Sequence, residues 1–189
     1  EAGYDRIQDH DKEFSDWLAI PKSIKTTSVK PSGTVSLLAG VTPGLHYPES
    51  RFYIRRIRLS INSPLLDPLK KSGYKIEPAF GSEESTVVVE IPVDVGKGIR
   101  TVSEVSMWEQ LSLAAFMQKY WADNQVSCTV TFDPELEGPQ IANALNYFQY
   151  QLKGISFLPK TEVGAYKQMP YEEITSKDYS KMVKKLKTL

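Results

Sequence analysis

Val126-Ser127-Cys128-Thr129-Val130-Thr131-Phe132-Asp133-Pro134 is the stretch on which the fold reading turns. Val126, Cys128, Val130 and Phe132 alternate with Ser127, Thr129 and Thr131, which predicts a strand with one apolar and one hydroxyl-bearing face. Asp133-Pro134 ends it. Ile141, Leu145, Phe148 and Leu152 then recur at 4-3-4 spacing, which predicts an amphipathic helix ending at Gly154. Ile155 to Leu158 is a short apolar run stopped by Pro159. Strand, helix, strand in this order is the unit of a parallel α/β arrangement. A hydroxyl face at Ser127, Thr129 and Thr131 suits a barrel interior.

Working backwards, Ser103 and Ser106 are candidate N-caps for a well-buried helix running through Trp121. Asp123 and Asn124 terminate it. Residues 4–20 carry Ile7, Phe14, Trp17 and Leu18 among acids, an amphipathic helix stopped by Pro21. Ile24 to Val29 reads as a strand delivering the chain to Pro31-Ser32-Gly33-Thr34, and Val35 to Ala39 as a short helical segment closed at Gly40. Between these halves, Phe52 to Leu59 interleaves apolar residues with arginines, a strand. Pro64 to Lys71 is a short helix, and Tyr74 to Phe80 with Thr86 to Ile91 forms a hairpin, with Pro78 and Pro92 suggesting edge positions. Residues 60–100 are expected to be a small hairpin insertion on a main body spanning 1–165, and 166–189 a polar surface tail.

Composition narrows the function classes. The 189 residues carry 23 Lys+Arg against 23 Asp+Glu, which disfavours a protein living on non-specific nucleic-acid binding. One cysteine excludes a disulfide framework within the chain, and with two histidines a structural zinc site is not expected. No apolar run approaches the roughly 20 residues needed to span a bilayer, and the start carries no leader pattern, so a cytoplasmic protein without membrane contact is expected. Glu1 reads as a cut in a longer chain.

Lys30-Pro31-Ser32-Gly33-Thr34-Val35-Ser36 is the most informative local feature. A Ser/Gly/Thr turn opening into a helical segment exposes backbone N–H groups beside hydroxyls, which makes an anion site. It lacks the Gly-Lys-Ser/Thr of a Walker loop. From the pattern alone the commoner reading of such a turn is an N-cap, with Ser32 or Thr34 satisfying free amides. Arg51, Arg55, Arg56 and Arg58 form a basic cluster, either a solvated strand face or salt-bridged. His46 is a loop histidine, His10 sits on a charged helix face, and Cys128, on an apolar face, reads as packing.

Taken in order, Thr26-Thr27-Ser28-Val29-Lys30-Pro31-Ser32-Gly33-Thr34-Val35-Ser36, Gly40-Val41-Thr42-Pro43-Gly44-Leu45-His46, Tyr53-Ile54-Arg55-Arg56-Ile57-Arg58, Tyr120-Trp121-Ala122-Asp123-Asn124-Gln125-Val126-Ser127 and Leu152-Lys153-Gly154-Ile155-Ser156-Phe157-Leu158-Pro159 resemble the adenosylcobalamin-dependent ribonucleoside-triphosphate reductases. The resemblance is weakest over 61–100 and beyond 165. It implies the C-terminal portion of a ten-stranded α/β barrel, with Ser32, Gly33, Thr34, Val35 and Ser36 holding the phosphates of a ribonucleoside triphosphate. It also implies adenosylcobalamin as cofactor of the complete enzyme and a thioredoxin-type reductant as partner. Where tyrosyl-radical relatives carry paired tyrosines on the last barrel strand, this chain has Ser156-Phe157. The radical cysteine, the reducing cysteines and the proton-transferring carboxylate are expected outside these residues, so no catalytic or metal-binding residue is assigned here. Two other readings stay open: a catalytically silent nucleotide- or phosphate-binding module, and a structural or inter-subunit element using the Tyr74–Ile91 hairpin.

Overall fold

The computed structural model describes residues 1–33, 35–160 and 167–187, with the side chains of Leu37 and Leu38 left aside. The chain divides into two compact units, Glu1–Tyr47 with Glu104–Lys160, and Pro48–Ser103 with Thr161–Leu189.

In the first unit, α1 (Ala2–Leu18) ends where Ala19 turns left-handed at φ 52°, two residues ahead of Pro21. Helix α4 (Met107–Tyr120) starts at Ser106, whose hydroxyl accepts the Glu109 N–H. Ser103 lies instead in a 3-10 turn, Val102–Glu104. Strand β4 (Thr129–Phe132) and strand β5 (Ser156–Pro159) pair in parallel, joined through α5 (Ile141–Phe148). That succession of strand, helix and parallel strand is the unit the alternation predicted. Met107, Leu111, Ala115, Val130, Ala144 and Phe148 fill the space between α4, β4 and α5, with Cys128 packed against them. Each fully buried large apolar side chain contributes about 1.5–3 kcal/mol. A short helix, α2 (Val35–Leu38), follows the Ser/Gly turn.

The expected strand over Ile24–Val29 does not form. Only Val29 pairs, as a single parallel bridge to Val126. The backbone of its middle is spent on side chains and a helix end: the Thr26 N–H donates to Asp123, and the Thr27 carbonyl accepts the Asn124 N–H.

The second unit is an antiparallel sheet in the order β2-β3-β1-β6, formed by β1 (Phe52–Ser60), β2 (Lys75–Pro78), β3 (Thr86–Asp94) and β6 (Tyr171–Glu173). Helix α3 (Leu66–Lys71) supplies Leu66 and Leu69 to a core with Val89, Ile57, Leu59 and Ile76. Helix α6 (Ser176–Val183) begins at Thr175, whose hydroxyl accepts the Asp178 N–H, and brings Tyr179 to 5.2 Å from the Phe52 ring.

These pairings redraw the expected boundaries. The hairpin of 60–100 belongs to a wider unit that takes in Pro48–Ser103, because β3 pairs with β1 along its whole length. The stretch 166–189 is not simply a surface tail, because β6 pairs with β1 and α6 packs in the same unit. Of the two strands expected at edges, β2 is one, whereas β3 is internal; Pro92 is tolerated because β2 pairs only up to Glu90.

Candidate functional site

The chain from Thr26 to Val29 is fixed before it reaches the Ser/Gly turn. Asp123 is the clamp. Its carboxylate accepts the Thr26 N–H at 2.9 Å, the Thr26 hydroxyl at 3.0 Å and the Tyr4 hydroxyl at 2.7 Å. The Thr27 hydroxyl accepts the Asp123 N–H at 3.0 Å and donates to the Trp121 carbonyl. Trp121 Nε1 donates to the Ser28 carbonyl at 3.2 Å, and the Ser127 N–H to the Val29 carbonyl at 2.9 Å. Sequence reading gave Asp123 only a helix-ending role. The clue it missed is that a carboxylate followed by Asn124 can receive a neighbouring strand's polar backbone.

The hydrogen bonds from the Thr26 N–H and the Tyr4 hydroxyl hold the Asp123 carboxyl down at about 2, below the usual carboxylate range. A carboxyl depressed in the folded state stabilises it fully above its unfolded value, near 3.9, and loses that contribution as pH falls through the folded value. Urea unfolding at stepped pH should therefore show wild type losing more stability than Asp123→Asn between about pH 4 and pH 2. Parallel curves for the two proteins would remove the clamp.

Beyond Val29 the chain leaves the sheet. Gly33 turns at φ 72°, a left-handed conformation that glycine adopts without strain, and a Cβ built there meets no neighbour within 4 Å. The space over the turn is open. Ser32 and Val35 are exposed, and Ser32 Oγ accepts the Ser36 N–H at 2.9 Å. Ser36 is buried, and its hydroxyl has no hydrogen-bond partner among the described residues. So one of the two hydroxyls caps the short helix, as the N-cap reading anticipates, while the other is left without an internal partner. Thr34, the remaining candidate, lies outside the described residues.

The return limb closes on the outgoing one. The Ser36 carbonyl accepts the N–H groups of Ala39 and Val41, both at 3.1 Å. Gly44, at φ 57°, sits so near Lys30 and Pro31 that a Cβ would stand 3.3 Å from their backbone atoms. The Pro43 carbonyl lies 3.0 Å from His46 Nδ1, and His46 Nε2 accepts the Thr129 N–H at 3.3 Å. With Nε2 accepting, Nδ1 is the nitrogen that donates.

Along β4 and the segment leading into it, alternate N–H groups point to one side, and three successive ones meet three different acceptors. Ser127 finds the Val29 carbonyl, Thr129 finds His46 Nε2, and Thr131 finds Gln110 Oε1 at 3.0 Å. Gln110 Nε2 returns a bond to the Thr131 carbonyl at 2.9 Å, so this side-chain amide replaces a strand rung.

The arginine cluster belongs to the other unit, and two of its four members are salt-bridged. Arg56 bonds Glu90 and Glu172, Arg51 meets Asp94 at 3.3 Å, and Arg55 lies 4.4 Å over the Tyr171 ring. Burial pushes the Cys128 thiol up to about 11, which keeps it protonated at neutral pH and unsuited to nucleophilic work. Among the described residues no three His, Cys, Asp or Glu side chains gather as a metal site, and no helix is long and apolar enough to cross a membrane.

No protein-family model matches the chain. It is 63% identical over 188 residues to the probable adenosylcobalamin-dependent ribonucleoside-triphosphate reductase of Dictyostelium discoideum, covering 98% of this chain and 24% of that protein. It is 59% identical to the adenosylcobalamin-dependent ribonucleoside-triphosphate reductase of Euglena gracilis, covering 99% and 26%, and 44% identical to that of Levilactobacillus brevis, covering 94% and 24%. A crystal structure of a B12-dependent (class II) ribonucleotide reductase superposes with a TM-score of 0.83 at 38% identity, over 97% of this chain and 26% of that one. This mixed α/β chain, whose Ser/Gly turn follows a single parallel bridge at Val29, is thus a segment of the class II ribonucleotide reductase fold. Within that class, the chain belongs to the adenosylcobalamin-dependent ribonucleoside-triphosphate reductase family. It spans about a quarter of the length of the curated relatives it matches.

Proposed function

We propose that this chain is the substrate-phosphate-binding part of a B12-dependent reductase that converts ribonucleoside triphosphates to 2′-deoxyribonucleotides by thiyl-radical chemistry, for DNA synthesis. Its parallel strands would be C-terminal strands of a ten-stranded α/β barrel, in a cytoplasmic enzyme re-reduced by a thioredoxin-type partner. The observation that carries the reading is the open turn at Ser32-Gly33, preceded by a backbone fixed at its base, in a chain so similar to those reductases. The first turn of any helix leaves N–H groups without intrahelical partners, and phosphate oxygens are strong acceptors for them. In this reading Ser32, Gly33, Thr34, Val35 and Ser36 bind the phosphates, with the unpartnered Ser36 hydroxyl turning to donate.

Adenosylcobalamin supplies the radical in the complete enzyme. Neither His46, engaged at both ring nitrogens, nor the single thiol, Cys128, packed into the core, is placed to ligate its cobalt. The work of the segment is to bind and orient the substrate by its phosphates.

Replacing Ser32 and Thr34 together by alanine in the full-length reductase should raise the substrate KM more than tenfold. Each charge-assisted hydrogen bond lost costs roughly 1.5–3 kcal/mol. An unchanged KM would end the phosphate assignment.

A further inference from the structure

The excursion of residues 30–46 stands on two feet, and both rest on one strand segment. At its start, the Ser127 N–H bonds the Val29 carbonyl. In a parallel ladder the next N–H on that side, Thr129, would bond the carbonyl two residues beyond Val29, at Pro31. The chain has already departed towards the Ser/Gly turn by then. The missing rung is filled from the other end of the excursion, where the half-buried His46 brings Nε2 to the Thr129 N–H. The same ring donates from Nδ1 to Pro43, and Gly44 between them presses against Lys30 and Pro31. One imidazole thus links strand and return limb, and Gly44 beside it meets the outgoing limb.

We propose that His46 is a positioning residue for substrate phosphate: its Nε2 bond to the Thr129 N–H sets the height of the 43–46 turn, which through Gly44 sets where Lys30-Pro31 deliver the Ser32–Ser36 turn. The inference rests on the phosphate reading above. His46 touches no substrate in this scheme; it acts through the backbone.

In full-length reductase, His46→Ala should raise KM for ribonucleoside triphosphate about tenfold while kcat changes less than about twofold, the signature of lost ground-state binding. His46→Gln, whose carbonyl oxygen can reach the Thr129 N–H, should recover most of that loss. His46→Asn, which can reach only Pro43, should not. A merely structural role would lower the active fraction, hence apparent kcat, at constant KM. That pattern would overturn the proposal, as would rescue by Asn in place of Gln. Should His46→Ala not fold, Gly44→Ala tests the same linkage. Its added carbon meets the Lys30 and Pro31 backbone at 3.3 Å and should give the same selective rise in KM. An unchanged KM in either variant, with Ser32→Ala raising KM, overturns the positioning role alone. An unchanged KM in Ser32→Ala as well overturns the phosphate reading and this proposal with it.

Discussion

Replacing Arg56 with methionine is expected to cost about 3 kcal/mol of unfolding free energy, near the lower end of what breaking a buried ion pair costs. Lys75, Glu90 and Arg56 lie opposite one another on β2, β3 and β1, and Glu172 of β6, opposite Ile54, reaches Arg56 diagonally. The Glu90 side chain is only 4% exposed and Arg56 11%. Burial alone would lower the affinity of the guanidinium for its proton; the bonds to Glu172 and Glu90 outweigh it and hold Arg56 above its usual range. Among the described residues, removing Arg56 leaves Glu90 in the interior with Lys75, which is 60% exposed, as its ion partner at 3.1 Å. The damage comes from the stranded carboxylate, so Arg56→Met combined with Glu90→Leu should be more stable than Arg56→Met alone. Guanidinium unfolding of the three proteins reads this directly. A single variant within about 0.5 kcal/mol of wild type, the ordinary range for surface changes, would show that the pair is not buried in solution. Hydrogen exchange should also quicken at Tyr171–Ile174, since Arg56 binds Glu172 and the Met169 carbonyl.

Gln110→Leu is expected to cost about 2–4 kcal/mol, although leucine matches glutamine in size. Each buried backbone group left without a partner costs about 1–3 kcal/mol, and this change strands both the N–H and the carbonyl of Thr131. Helix α4 would keep its apolar contacts through Leu111 and Ala115. The loss should therefore appear as faster amide exchange at Thr131, with helical circular dichroism unchanged. Wild-type protection of that amide in the variant would refute the account.

What could be read in advance follows from the range of the forces. The β4-α5-β5 unit was legible because Val126–Phe132 and Ile141–Leu152 each carry a complete periodicity, and short connections leave few topologies. The β6 strand was not. Tyr171-Glu172-Glu173 has no apolar alternation, and it joins the sheet through Arg55 and Arg56, over a hundred positions away. Ile24–Val29 misled for the opposite reason: its β-branched pattern is real, but Asp123 competes for its backbone. In the candidate site, the turn itself was legible as Ser/Gly/Thr chemistry. The supports were not, because Gln110, Asp123 and His46 act as surrogate backbone, and no local pattern marks a side chain for that role.

The three acceptors lined along β4 also bear on how the chain behaves toward its neighbours. A strand with idle N–H groups invites a foreign strand to dock, the first step of edge-to-edge aggregation. Here a carbonyl, an imidazole and an amide occupy those groups at Ser127, Thr129 and Thr131. The sheet stops at β4 on that side without advertising a vacancy, and the loop that leaves it is free to carry Ser32 and Gly33 instead of another rung.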